Sequence, residues 1–228
     1  MGFDLAVRVT EVLLALVLVQ QSLEQMAVDP AARVWLALRL AFCAALLAGQ
    51  GWAVWGLMAL GLWWLKRYDG PFNGGSDKMT LLVLACLSGV EAALALDRTF
   101  WAEMAFGYLA IQLVLSYFIS GQVKLVNPAW RRGEALREVF LYSAYPVSER
   151  LRGLAERRLV TFWGAWVVML VEMAFPLFLL HPLALAAGLT LAAGFHFSNA
   201  CLFGLNRFFW IWLCAFPALI WLQGRLVG

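Results

Sequence analysis

Apolar residues fill this chain in long blocks, covering residues 5–26, 34–49, 52–66, 79–97, 103–124, 159–180, 183–203 and 207–224. A helix crossing a bilayer takes about 20 such residues, so each block predicts a membrane helix. The block from Val34 to Leu65 is too long for one span. Gly49, Gln50 and Gly51 at its middle are suited to a tight turn. It reads either as two short helices or as one long tilted helix with an interfacial piece, so seven or eight membrane helices are expected. The fold class is therefore all-α, a polytopic transmembrane helix bundle, with residues 1–228 as a single membrane domain.

The polar segments between the blocks add detail. KRYDGPFNGGSDKM is rich in Gly, Pro, Asn and Asp, which is turn chemistry. The longest polar stretch runs from Lys124 to Arg158. In it, Asn127 followed by Pro128 marks a helix start with its cap. Beyond them Trp130, Leu136, Val139 and Phe140 alternate with Arg131, Arg132, Glu134, Arg137 and Glu138, the pattern of a helix lying on the membrane surface. Ser148 is expected to cap a second short interfacial helix, ERLRGLAERR. The first apolar block has no basic lead, so it reads as a permanent helix rather than a removable signal.

Composition removes the soluble alternatives. The chain is 64% hydrophobic with a mean hydropathy of +0.80. Its charged fraction of 14% compares with about 25% in soluble domains, and the apolar excess must face lipid. The net charge of +3, without a basic run, gives no support to nucleic-acid binding. Cationic side chains tend to stay on the cytoplasmic side. Arg131, Arg132, Arg137, Arg150, Arg152, Arg157 and Arg158 share one connection, joined by Lys66, Arg67 and Lys78 if there are eight helices. That connection is expected in the cytoplasm and both termini outside, in a multi-pass protein of the bacterial inner membrane. Cys43, Cys86, Cys201 and Cys214 lie within apolar runs and read as small buried residues.

Candidate chemistry lies where charge meets apolar surroundings. An ionisable group at mid-membrane costs about 2.5–3.5 kcal/mol, so it must face protein, ligand or water. On the fifth helix Gln112, Ser116, Ser120 and Lys124 recur at every fourth position, flanked by Tyr117. Lys124 reads equally as a lysine snorkelling to the interface. On the seventh, Ala184, Gly188 and Ala192 form a close-packing face leading to His196, with Asn199 near it. His196 is either a structural hydrogen-bonding residue or part of a site, and His181 before Pro182 reads as an interface residue. Glu91 and Glu172 sit in apolar helices and are expected to be protonated or paired with a base such as Arg39 or Arg207, and Arg8 with Glu11. No metal-ligand spacing is present, and neither histidine is singled out as a haem ligand. Abundant Trp and Phe suit interfacial anchoring or a pocket for a flat ligand.

Two segments carry a family resemblance. YFISGQVKLVNPAW, Tyr117 to Trp130, resembles a helix end of the vitamin K-dependent γ-glutamyl carboxylases, and FHFSNACLFGLNRFFWIWLCAFPALI resembles a later helix of the same enzymes. Both occur in the carboxylase order. Together they place the chain with the horizontally transferred transmembrane (HTTM) group. The resemblance implies a membrane lyase-type or oxidoreductase chemistry on a quinone or hydroquinone, with Lys124 as base and His196 as polar partner. It implies Tyr117, Ser120 and Asn199 as cofactor contacts. A lysine desolvated among helices gives up its proton more readily, which suits a base. The carboxylases carry a large extramembrane domain that binds their substrate; this chain offers no counterpart, so a separate protein or peptide is expected to supply the substrate. The alternative is a non-enzymatic membrane subunit, or a maturation or export factor for a small peptide or redox partner. A transporter is a third option, weakened by the lack of an internal repeat.

Overall fold

A computed structural model describes residues 1–67, 74–143 and 148–227. Among these every regular element is helical: α1 (Phe3–Val28), α2 (Arg33–Leu47), α3 (Ala53–Arg67), α4 (Gly74–Ala95), α5 (Thr99–Val126), α6 (Pro128–Arg131), α7 (Glu134–Tyr142), α8 (Arg158–Phe178), α9 (Pro182–Phe203) and α10 (Asn206–Val227), with 3₁₀ turns at Pro30–Ala32 and Glu149–Glu156. Six spans among the described residues are long and apolar enough to cross a membrane, and α3 is a shorter apolar helix. The Val34–Leu65 block is two 15-residue helices, with Gly49 at φ 87° between them. The middle of the turn-rich KRYDGPFNGGSDKM segment, residues 68–73, lies outside the described residues.

The chain divides into two compact units. Unit 1 comprises Met1–Ile111 and Trp210–Leu226; unit 2 runs from Gln112 to Phe209, with the last residues of the chain. In unit 1, α1 packs along α2. Arg8 bonds Glu11 at 3.0 Å and also donates to the carbonyls of Leu46 at 2.7 Å and Leu47 at 2.6 Å. Those carbonyls end α2, where Leu46 O also accepts from Gly49 N at 3.0 Å, and Arg8 adds a cationic cap to that helix end. Buried Arg39 donates to Ser22 Oγ at 2.7 Å and Gln25 Oε1 at 3.0 Å, and its guanidinium lies 5.5 Å from the Trp64 ring centre. Beside it is a void of about 20 Å³ bordered by Gln21, Asp77 and Thr80.

In unit 2, Asn127 caps α6 through a bond from Ala129 N at 2.9 Å. The single surface helix expected from Pro128 onward is in fact broken. Gly133 takes φ 76°, and a Cβ there would lie 2.7 Å from Phe162 Cα. Only glycine fits that left-handed, close approach. Nor is the apolar side of α7 given wholly to lipid. Phe140 is buried, with its ring 5.1 Å from that of Phe203 and Ala155 beside it. Arg152 holds the end of α7 by donating to Leu141 O and, at 3.2 Å, to Ser143 O. Ser148 caps the 3₁₀ turn through Arg150 N. His181 is more than an interfacial residue: its Nδ1 accepts from Leu183 N at 3.2 Å and caps α9. Cys43, Cys86 and Cys214 are buried as expected, but Cys201 is exposed.

Candidate functional site

The site is built on α5, α8 and α9 within unit 2. The last turns of α5 carry Tyr117, Ser120, Gly121 and Lys124. Gly121 has no side chain, and a Cβ there would come within 2.8 Å of Met173 N and 2.9 Å of Glu172 Cβ. The bare glycine therefore lets α8 approach α5 closely, and that approach brings Glu172 to Lys124. Lys124 Nζ lies 2.8 Å from Glu172 Oε1 and 2.7 Å from Oε2, and donates to Ser120 Oγ at 2.5 Å. The Ser120 hydroxyl in turn reaches Glu172 Oε1 at 3.3 Å. Trp130, delivered by α6, places its ring centre 5.4 Å from the ammonium, a cation–π contact. Lys124 does not snorkel: its side chain is only 16% exposed, against 6% for Glu172. Glu172 is therefore paired, but with Lys124 rather than with Arg39 or Arg207.

The second polar contact joins α5 to α9. Tyr117 Oη and His196 Nε2 are 2.8 Å apart, both residues are buried, and the Tyr117 ring stacks on Phe175 at 4.1 Å. Gly188, Ala192 and His196 lie on the buried side of α9, as the small-residue pattern suggests. The polar stripe on α5 is not continuous. Ser116 is exposed and satisfies itself on Leu113 O at 2.8 Å. Four residues advance a helix by more than one turn, so an every-fourth pattern drifts around the axis.

Between α7, α8 and α9 is a cavity of about 540 Å³, within the range of small-molecule sites. Its walls are chiefly Val, Leu and Phe side chains of α8 and α9, with Leu136 and Phe140 of α7 at one end. Tyr117, Glu172, Ser198, Asn199 and Thr190 supply its polar groups. Of the residues singled out from sequence, Tyr117 and Asn199 line it. Lys124, Ser120 and His196 stand behind, held by residues that do. Glu172 is the member that sequence reasoning left out of the site; the available signal was a lone acid in the apolar α8. Among the described residues no group of three or more metal-ligating side chains comes together.

The long apolar helices and the charged pair enclosed among them define an integral, multi-pass helical membrane protein. The HTTM domain family matches residues 97–222, more than half of the chain, and the chain belongs to that family. No curated protein and no solved structure matches it.

Proposed function

We propose that this HTTM protein is an enzyme of the bacterial cytoplasmic membrane, carboxylase-like or quinone-linked in its chemistry, acting with a separate protein or peptide. The observation that carries the reading is the Lys124–Glu172 pair at the edge of an apolar cavity of about 540 Å³. The lining suits a quinone or hydroquinone: Val167, Val171 and Phe175 give apolar contact, and Tyr117 and Asn199 give hydrogen bonds to ring oxygens. Such a group, once bound, supplies reducing equivalents and exchangeable protons. The residues of the chain do the rest. His196 orients the Tyr117 hydroxyl. An ammonium has no lone pair, so Lys124 takes part in proton removal through its pairing with Glu172, whose carboxylate borders the cavity. The apolar walls keep water from the exchange.

Extraction in gentle detergent followed by mass spectrometry of bound lipids tests the reading. A stoichiometric quinone is expected, and it should be lost when Val168→Trp fills the cavity. Lys124→Met should abolish hydroquinone-dependent carbon dioxide incorporation while leaving the protein folded. Phospholipid alone in the cavity, with no hydroquinone-dependent carbon dioxide incorporation by the parent protein, overturns the proposal and leaves the non-enzymatic subunit.

A further inference from the structure

We infer that Glu172, not Lys124, is the group of this site that meets the ligand, and that the ligand presents a hydroxyl to it; Lys124 is a positioning residue. This rests on the cavity having an occupant, as proposed above, but not on the occupant being a quinone.

The argument begins with the bonding capacity of an ammonium. It has three N–H donors and no acceptor. Lys124 directs its short contacts at Ser120 Oγ and at both oxygens of Glu172. It has no donor left over for a ligand and does not border the cavity. Glu172 does border it, and a carboxylate has about four lone-pair sites. The ammonium and Ser120 use only part of that capacity, so the carboxylate can accept one more hydrogen bond on its cavity side. The pair is neutral overall, and the surrounding walls are apolar, so a charged ligand would be poorly solvated there. A lipid-soluble neutral molecule with a phenolic or alcoholic O–H fits both conditions. When that O–H bond breaks, its electron pair stays on the ligand oxygen and the proton goes to a Glu172 oxygen. Lys124, its ammonium close by, keeps the overall charge of the site balanced. Its role is to hold the carboxylate ionised and in place.

The experiment needs no knowledge of the ligand. N,N′-dicyclohexylcarbodiimide is lipid-soluble and adds to protonated carboxyl groups, leaving a stable adduct. The detergent-purified full chain, its Lys124→Met variant and a Lys124→Met/Val168→Trp variant are treated and digested, and the adduct at residue 172 is quantified. Glu91 has no ion pair among the described residues and serves as the internal comparison. In the parent, adduct at Glu172 should be scarce. In Lys124→Met it should rise several-fold, and filling the cavity with Val168→Trp should remove the increase, while Glu91 stays constant. Equal labelling of Glu172 in parent and Lys124→Met overturns the role given to Lys124. Labelling that Val168→Trp leaves unaltered overturns the cavity-facing carboxylate. If Lys124→Met does not fold, Glu172→Cys replaces it: N-ethylmaleimide should modify residue 172, and Val168→Trp should block this, while no modification overturns the inference. A labelling result as expected with no co-purifying quinone would discard the quinone and leave this assignment standing.

Discussion

Each unit of the chain holds a cation among its helices, Arg39 buried and Lys124 largely so, and the two are treated differently. In unit 1, Arg39 bonds Ser22 and Gln25, among other partners, and lies against the Trp64 ring, beside a void of about 20 Å³. That space suits about one water molecule. In unit 2, Lys124 is spent on Glu172 and Ser120, and Glu172 borders a cavity of about 540 Å³. Burial of charge in a membrane protein is by itself a pointer to function, yet by that criterion the two clusters are alike. What separates them is the amount of room beside the charge. Arg39 knits helices together; the Lys124 pair is placed where something else can arrive.

Substitution should split the two clusters most widely. Arg39→Met removes, among its other contacts, the two charge-assisted hydrogen bonds to Ser22 and Gln25 at about 1.5–3 kcal/mol each, so unit 1 should lose at least about 3–6 kcal/mol. Lys124→Met leaves Glu172 free to take up a proton and turn to the cavity, so its cost should be nearer the about 1–3 kcal/mol of one unsatisfied buried group. Thermal unfolding in detergent measures both. Equal losses would break the comparison and make the Lys124 pair as structural as Arg39. If Lys124→Met costs less stability but all activity, the contrast is sharpened.

The helices themselves were legible in the chain. Apolar blocks expected at 103–124, 159–180 and 183–203 correspond to Thr99–Val126, Arg158–Phe178 and Pro182–Phe203, because lipid imposes length and polarity directly. The site was legible only in part. Helical periodicity could put Ser120, Lys124 and Tyr117 on neighbouring faces of α5, but not say which of them met a partner. Lys124 and Glu172 are 48 positions apart, and no local rule joins them. The break at Gly133 was equally hidden, since its cause is the backbone of Phe162, far along the chain. Ser116 looked like a member of the polar stripe because the hydroxyl's local bond to Leu113 O is not written in residue type alone.

Two glycines sharpen the comparison at a smaller scale. A Cβ added at Gly121 in unit 2 meets the Met173 backbone at 2.8 Å, whereas one added at Gly51 in unit 1 meets the carboxylate end of Glu91. Backbone cannot step aside; the end of a glutamate side chain can. Gly121→Ala should therefore cost about 1–3 kcal/mol, the usual penalty of overpacking, and should pull α8 away from Lys124. Gly51→Ala should stay within about 0.5 kcal/mol, like an ordinary surface change. Unfolding midpoints of the two variants test this. Equal costs would mean that the α5–α8 approach is no tighter than the turn at Gly51.

The smallest effect concerns the void in unit 1. Gln21 is 4% exposed, and its Nε2 has no hydrogen-bond partner among the described residues. An unmet buried donor costs about 1–3 kcal/mol if it stays unmet. Gln21→Met keeps the length of the side chain and removes the donor, and methionine fills irregular gaps. Because the flexible thioether also gives up some packing, the expected net result is a small gain in stability, up to about 1 kcal/mol. The unfolding midpoint in detergent reads it. A loss instead would show that a water molecule sits in the void and satisfies the amide. Unit 1 would then be hydrated at its polar core, and the contrast with unit 2 would reduce to the size of the space beside the charge.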